Sequence, residues 1–162
     1  MRLPNDYGDG GSTRIFGEFL KHLGGRLYTV DIEPRHIAGC RKFTRRFARR
    51  ISYHVGDSIE FLRSLARDHS LNRIDLLYLD SFDYALGIEQ DDERLASQRH
   101  CLAELEAALP LLAPQALVLI DDADLIGGGK PALAKGRLLE LGWTLVIDDY
   151  QLLFDAPKSV TA

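Results

Sequence analysis

The sequence contains few cysteines, no long apolar run, no internal repeat and no low-complexity segment. The cysteines are Cys40 and Cys101, each within a predicted helix and in no metal-binding spacing, which is typical of free thiols in a reducing cytoplasm. No apolar stretch approaches the roughly 20 residues that cross a bilayer. The first residues also lack the apolar segment of a signal peptide. We therefore expect a cytoplasmic protein that does not bind or span a membrane.

The remaining composition is that of one ordinary globular domain. The chain has 162 residues, of which 46% are hydrophobic and 27% are charged, enough for one sizeable core. The formal net charge of −4 does not favour nucleic acid as a partner. The basic side chains of a predicted helix at 34–50 are interpreted as a solvated face, because an apolar stripe also follows that helix.

Short apolar runs alternate with longer helical patterns along the whole chain. This alternation predicts one doubly wound α/β domain at 1–162, with a mostly parallel sheet and helices on both faces. The last run should divide near Asp148–Asp149 into an antiparallel pair. The predicted strands are 26–32, 51–57, 74–80, 116–122 and 143–155, and the predicted helices are 12–23, 34–50, 58–69, 91–112 and 130–141.

Acidic residues follow the predicted strands, where ligands of open α/β sheets bind. One is a routine feature, but four successive strands ending this way indicate a site. A glycine cluster precedes the first helix, and glycine lets a backbone pass close to a ligand or form a plain tight turn. The residues concerned are Gly8, Gly10, Gly11 and Ser12 before the helix, and Asp31, Asp57, Ser58, Asp80, Asp83, Asp121 and Asp122 after the strands.

Two of these acids have both a structural and a functional interpretation. Asp31 follows the glycines by about the 20 residues at which an acid binds a ribose diol, but it could equally be a turn residue at a strand end. Asp57 with Ser58 is typical of a helix N-cap, and in a nucleoside site the pair would hold an adenine amino group.

Five motifs in this order carry a family resemblance. They are "GDGGSTRIF", "YTVDIEP", "VGDSIEFL", "DLLYLDSFDY" and "LVLIDDADLIGGGK", and they extend over nearly the whole chain. Together they resemble the class I S-adenosylmethionine-dependent methyltransferases, especially the small O-methyltransferase branch that includes catechol O-methyltransferase. The resemblance implies a seven-stranded sheet with an antiparallel last strand, and methyl transfer to the oxygen of a small-molecule acceptor.

The resemblance also implies roles for individual residues. The glycine loop with Ser12 would hold the methionine part of S-adenosylmethionine, Asp31 the ribose, and Asp57 with Ser58 the adenine. Asp80 would lie at the cofactor, and with Asp121 and Asp122 it would bind Mg²⁺ or another divalent cation. Three convergent carboxylates suit a hard cation, which would lower the pKa of an acceptor oxygen. The alternative is that these acids cap turns or bind Lys and Arg side chains.

Two departures from the family pattern concern the first strand and the general base. The segment "LPND" stands where a central first strand should end, and because proline cannot donate to a central ladder, we expect this strand to be missing or vestigial. An N-terminal truncation is favoured over a fragment completed by another chain or a degenerate member. Asp83 stands where the catechol enzymes have lysine, so Asp83 and Lys130 are the candidate proton acceptors.

Two other functions remain open at this point. A nicotinamide-dinucleotide oxidoreductase would use the glycine loop and Asp31, although further acids near a pyrophosphate do not favour it. A non-catalytic remnant of the fold would serve as a binding module or as half of a homodimer, because an open sheet edge invites pairing with another chain. The glycines of "IGGGKPA" would form either a mobile lip or a long loop.

Overall fold

The computed structural model describes residues 11–68, 73–82 and 91–158 of the chain. The chain divides into two compact units, an N-terminal unit, Met1–Phe61, and a C-terminal unit, Leu62–Ala162. The segment in which the first strand is predicted to be missing lies outside the described residues, as do Gly8, Gly10 and Asp83. That the whole chain forms one domain stays a prediction.

The N-terminal unit contains a short parallel sheet with helices. Strands β1 and β2 pair in parallel, from Leu27 opposite Ile51 to Asp31 opposite Val55. Helix α3 extends across the boundary of the two units in the sequence. The elements are α1 (Gly11–Leu23), β1 (Leu27–Asp31), α2 (Pro34–Phe43), a 3₁₀ turn (Arg45–Phe47), β2 (Ile51–Val55) and α3 (Ser58–Arg67).

Helix α2 is shorter than predicted because of Thr44. The Thr44 side chain is fully buried; its Oγ1 lies 2.7 Å from the carbonyl oxygen of Cys40 and 2.7 Å from the hydroxyl of Tyr53. A threonine that bonds its own backbone in this way competes with helix continuation. The prediction of one helix over 34–50 is therefore wrong beyond Phe43, where the 3₁₀ turn follows.

The C-terminal unit contains a four-stranded mixed sheet. The strand order is β3-β4-β6-β5; β3 and β4 are parallel, and β6 is antiparallel to both β4 and β5. This arrangement confirms the predicted α/β class and the antiparallel C-terminal pair. The elements are β3 (Ile74–Leu79), α4 (Asp91–Ala108), a 3₁₀ turn (Leu109–Leu111), β4 (Leu112–Ile120), α5 (Ala132–Glu140), β5 (Thr144–Asp148) and β6 (Leu152–Asp155).

Two boundaries in this unit differ from the sequence prediction. Helix α4 ends at Ala108 and a 3₁₀ turn containing Pro110 follows, because proline lacks the N–H that an α-helix needs. Strand β4 then begins at Leu112, four residues before the predicted start at Ala116. The division of the last strand is confirmed, since β5 ends at Asp148.

The core of the C-terminal unit joins the sheet to α4 and α5. Its fully buried apolar side chains come from every layer: Leu105, Val118, Ile120, Leu138 and Phe154. Burial of such side chains contributes about 1.5–3 kcal/mol each relative to leaving them exposed. Across 11–68, 73–82 and 91–158, none of the helices is both long and apolar enough to span a bilayer.

The thiol of Cys101 gives the first testable prediction. Burial, with the nearby Glu104 carboxylate, raises its pKa from 9.0 to about 12. The protonated thiol therefore stabilises the folded state; this contribution is present below about pH 9 and is lost as the pH rises towards 12. We expect no reaction of Cys101 with Ellman's reagent in the native protein at pH 8, and full reaction in guanidinium chloride. Rapid native labelling would contradict the buried placement.

Candidate active site

Asp80 and Asp121 stand side by side at the carboxyl ends of two neighbouring strands. Leu79 is paired with Ile120 in the parallel register of β3 and β4, so the next residue of each strand reaches the same edge. The backbone N–H of Asp121 donates to the carbonyl of Leu79 at 3.1 Å, which extends the pairing by one step. The predicted convergence of these two acids is therefore present in the C-terminal unit.

Tyr78 joins the two carboxylates. Its hydroxyl lies 2.5 Å from Asp121 Oδ2 and 3.0 Å from Asp80 Oδ2. Burial and the two acids raise the Tyr78 pKa above its ordinary value. The phenol therefore stays protonated and acts as the hydrogen-bond donor to the carboxylates. Tyr78 was not among the site residues predicted from sequence, although side chains two apart on a strand share one face, which is how Tyr78 and Asp80 are related.

Asp122 comes next and turns the chain. Its φ of 56° lies in the left-handed region, which costs energy for any residue other than glycine and is found mainly at functional sites and tight turns. Its Oδ1 accepts from the Tyr150 hydroxyl at 3.0 Å, and this bond is the main cause that raises the Tyr150 pKa to about 12. Asp121 Oδ1 accepts from the Asp122 N–H at 3.0 Å and from Gln151 Nε2 at 3.2 Å.

Lys130 is placed between two of the acids. Only 1% of its side chain is exposed, and its Nζ lies 2.9 Å from Asp122 Oδ2 and 3.3 Å from Asp80 Oδ1. A buried ammonium of this kind requires paired anions, because desolvation penalises an isolated charge. Burial raises the pKa of Asp80, and the charge of Lys130 acts in the opposite direction.

The glycine segment before Lys130 is tied to α4. Gln98, which is 8% exposed, donates from Nε2 to the carbonyl of Gly129 at 3.0 Å and to that of Gly127 at 3.3 Å. The N–H groups of Gly128 and Gly129 both donate to the carbonyl of Leu125. Of the two interpretations of this segment, a mobile lip and a long loop, these contacts favour a loop with a defined conformation.

The predicted divalent metal site is not confirmed. Within the part of the chain that the structure describes, no group of three or more His, Cys, Asp or Glu side chains is arranged to hold a metal ion. Both oxygens of Asp80, Asp121 and Asp122 accept hydrogen bonds or ion pairs from donors of this chain. As arranged, these side chains fit an ammonium and phenol hydroxyls, not a divalent cation.

A second buried network holds the segment that follows Asp80. Ser81 donates from Oγ to Oε2 of Glu104 at 2.7 Å, and Glu104 is only 3% exposed. Ser97 donates from Oγ to the carbonyl of Phe82 at 2.7 Å, where the backbone is again left-handed. These contacts were not predicted from sequence, where their signal is limited to polar residues on the buried face of α4.

In the N-terminal unit, Asp31 ends β1 as predicted. Its Oδ1 accepts from the Glu33 N–H at 2.7 Å, and its Oδ2 lies 3.2 Å from His36 Nδ1. The turn role considered for Asp31 is therefore present, while 38% of its side chain stays exposed. Binding of a ribose by Asp31 remains a prediction.

The remaining predicted cofactor residues lie at helix starts of this unit. Asp57 accepts the Glu60 N–H at 2.9 Å through Oδ1, so it caps α3, whose first residue is Ser58. Helix α1 begins at Gly11, with Ser12 as its second residue. A Cβ built on Gly11 would have no atom within 4 Å, so no described neighbour requires glycine at that position.

Comparison with known proteins identifies the family. Residues 7–123 match the family described as a methyltransferase domain. No curated protein matches the chain. A methyltransferase structure from Geobacter sulfurreducens has a TM-score of 0.54 at 17% identity, over 83% of this chain and 59% of that chain.

Two further structures are similar in fold. An O-methyltransferase from Bacillus cereus in complex with SAH has a TM-score of 0.53 at 13% identity, over 82% of this chain and 63% of that chain. The MycE methyltransferase of the mycinamycin biosynthetic pathway, in complex with Mg, SAH and mycinamycin VI, has a TM-score of 0.62 at 18% identity, over 100% of this chain and 44% of that chain. The chain thus spans between 44% and 63% of the length of these two structures.

The α/β architecture with an antiparallel strand β6 is that of the class I S-adenosylmethionine-dependent methyltransferases. The chain belongs to the methyltransferase domain family, which matches most of its length.

Proposed function

We propose that this chain is an S-adenosylmethionine-dependent methyltransferase that methylates an oxygen atom of a small molecule. The family match supports methyl transfer. The observation that carries the choice of chemistry is the cluster at the ends of β3 and β4, where carboxylates and an ammonium are held in fixed positions. Such a cluster can bind and orient a hydroxyl group through hydrogen bonds.

The residues of the N-terminal unit are proposed to bind the cofactor. Asp31 would accept hydrogen bonds from the ribose hydroxyls with the exposed part of its carboxylate, while the bond to Glu33 N–H keeps that carboxylate oriented. Asp57 and Ser58 would meet the adenine, and Gly8, Gly10, Gly11 and Ser12 the methionine part. When bound, S-adenosylmethionine supplies the electrophilic methyl group.

The residues of the C-terminal unit are proposed to bind the acceptor. Asp80 has the more exposed carboxylate of the two that contact Lys130, with 38% of its side chain accessible against 20% for Asp122. Burial raises its pKa, which makes it a better base for a hydroxyl proton than an ordinary aspartate. We therefore propose that Asp80 orients the acceptor hydroxyl and receives its proton; Asp83 stays an alternative.

Cytoplasmic location and a homodimer remain predictions from sequence. The proposal includes no divalent cation, because the three carboxylates already bind donors of this chain.

Asp31→Asn tests the cofactor site. The change keeps an oxygen that can accept the Glu33 N–H but removes the charge, so the ribose would lose its charge-assisted hydrogen bonds. We expect the affinity for S-adenosylhomocysteine, measured by isothermal titration calorimetry, to fall about 10- to 100-fold, as expected for bonds to a charged group of about 1.5–3 kcal/mol.

The matched control for this variant is Asp75→Asn. Asp75 is an exposed aspartate of β3 near the amino end of that strand, so its replacement should leave the affinity unchanged. Equal affinities for Asp31→Asn and the unmodified protein would remove Asp31 from the cofactor site. Binding of NADH in place of S-adenosylhomocysteine would instead support an oxidoreductase.

A further inference from the structure

Lys130 differs from a surface lysine in being buried and paired with two carboxylates. Its side chain is 1% exposed, and its ammonium contacts a carboxylate from the end of β3 and another from the turn after β4. In comparison, Lys135 bonds both oxygens of Asp148 at 2.9 Å with 34% of its side chain exposed. Exposed pairs of that kind contribute little to stability, whereas a buried ammonium depends on its partners.

The backbone at Gly129 determines where the Lys130 side chain begins. Gly129 has a φ of 61°, and a Cβ at this position would lie 1.7 Å from the carbonyl oxygen of Asp122. The close approach therefore places residue 130 directly beside the acidic turn, and Gln98 fixes the carbonyl of Gly129 from the opposite element, α4. The ammonium is thus positioned by the fold and not by a chance rotamer of a flexible chain.

Each oxygen of the carboxylates around it already accepts a hydrogen bond or an ion pair from this chain. Asp80 and Asp122 each give one oxygen to Lys130 and the other to a tyrosine hydroxyl. Asp121 binds Tyr78, Gln151 and the Asp122 N–H. A divalent cation requires several oxygen ligands at short distance, so its entry would have to expel the ammonium and leave that charge buried without anions.

We propose that the Lys130 ammonium serves as the resident cation of this site, in the place where a divalent metal was predicted from sequence. It holds Asp80 and Asp122 together and keeps the end of β3 and the turn after β4 in register without a metal ion. This inference concerns the C-terminal unit alone; only its consequence, an acceptor site that assembles without a metal, rests on the proposed function.

The test is the binding of Mn²⁺, measured by electron paramagnetic resonance together with thermal unfolding. We expect the unmodified protein to bind no Mn²⁺ below about 1 mM, the weak end of protein sites for hard cations, and to keep its Tm in EDTA. Lys130→Met removes the charge at similar length and leaves the acids to a cation, so Mn²⁺ should bind at least about 10-fold more tightly and raise the Tm of this variant. Lys135→Met is the matched control and should behave as the unmodified protein.

Two results would overturn the proposal. One is Mn²⁺ binding by the unmodified protein that is lost in Asp80→Asn, since the acids would then bind metal with Lys130 present. The other is a folded Lys130→Met variant with no gain in Mn²⁺ affinity. If Lys130→Met does not fold, the titrations of the unmodified protein and of Asp80→Asn decide. Titration of the same samples with S-adenosylhomocysteine separates this outcome from failure of the proposed function.

Discussion

Gly129→Ala is expected to destabilise the C-terminal unit by about 3 kcal/mol or more, because it combines a positive φ with a backbone clash. The added Cβ would lie 1.7 Å from the Asp122 carbonyl oxygen, and backbone atoms cannot move aside as a flexible side chain can. Relief requires the loop to shift, which would withdraw Lys130 from Asp80 and Asp122. Urea unfolding followed by circular dichroism measures the loss.

The same chain offers a matched control for this change. Gly136 lies inside α5, and a Cβ there would meet no atom within 4 Å. Gly136→Ala should therefore stabilise the protein by about 0.4–1 kcal/mol, since alanine restricts the unfolded chain and favours helix. If Gly129→Ala unfolds at the same urea concentration as the unmodified protein, the tight approach of the loop to Asp122 is wrong.

Phe154→Ala is the second change with a large expected effect, about 3–5 kcal/mol of lost stability. Phe154 is fully buried in β6, where it pairs with Val118 of β4 and Leu145 of β5, so truncation leaves a cavity at the centre of the sheet. Strand β6 also directly follows the Tyr150–Gln151 turn that contacts Asp122 and Asp121. Loss of stability should therefore be accompanied by loss of the fixed geometry of the acids.

Val146→Ala on the neighbouring strand β5 is the control for Phe154→Ala. Val146 is 56% exposed, so its truncation should change the free energy of unfolding by about 0.5 kcal/mol or less. Both variants are measured by the same denaturant titration. Similar small losses for the two variants would show that β6 does not lie at the centre of the core.

The architecture of the chain was predictable because its signals are local. Nearly continuous apolar runs predict the strands of a covered parallel sheet, and the division at Asp148 follows from the polar residues there. The errors also have local causes that periodicity does not detect. Thr44 uses its side chain to end α2, and Pro110 ends α4, although the apolar spacing continues past both positions.

The acidic positions were predictable, whereas their partners were not. A strand end is visible in the sequence, so Asp31, Asp57, Asp80, Asp121 and Asp122 could each be placed. The contacts of Tyr78 with Asp121 and of Lys130 with Asp80 join residues that are 43 and 50 positions apart. Only tertiary packing brings them together, which is why the sequence left open both a metal ion and a Lys or Arg side chain as the partner of these acids, and the structure has the ammonium of Lys130.

The most direct test of the central claim is photochemical cross-linking of methyl-tritiated S-adenosylmethionine to the purified chain. We predict covalent incorporation of tritium that is blocked by excess S-adenosylhomocysteine, reduced in Asp31→Asn, unaffected by NADH and unchanged in EDTA. Absence of incorporation, or equal competition by NADH, would contradict the assignment of this chain as a methyltransferase that binds its cofactor through Asp31.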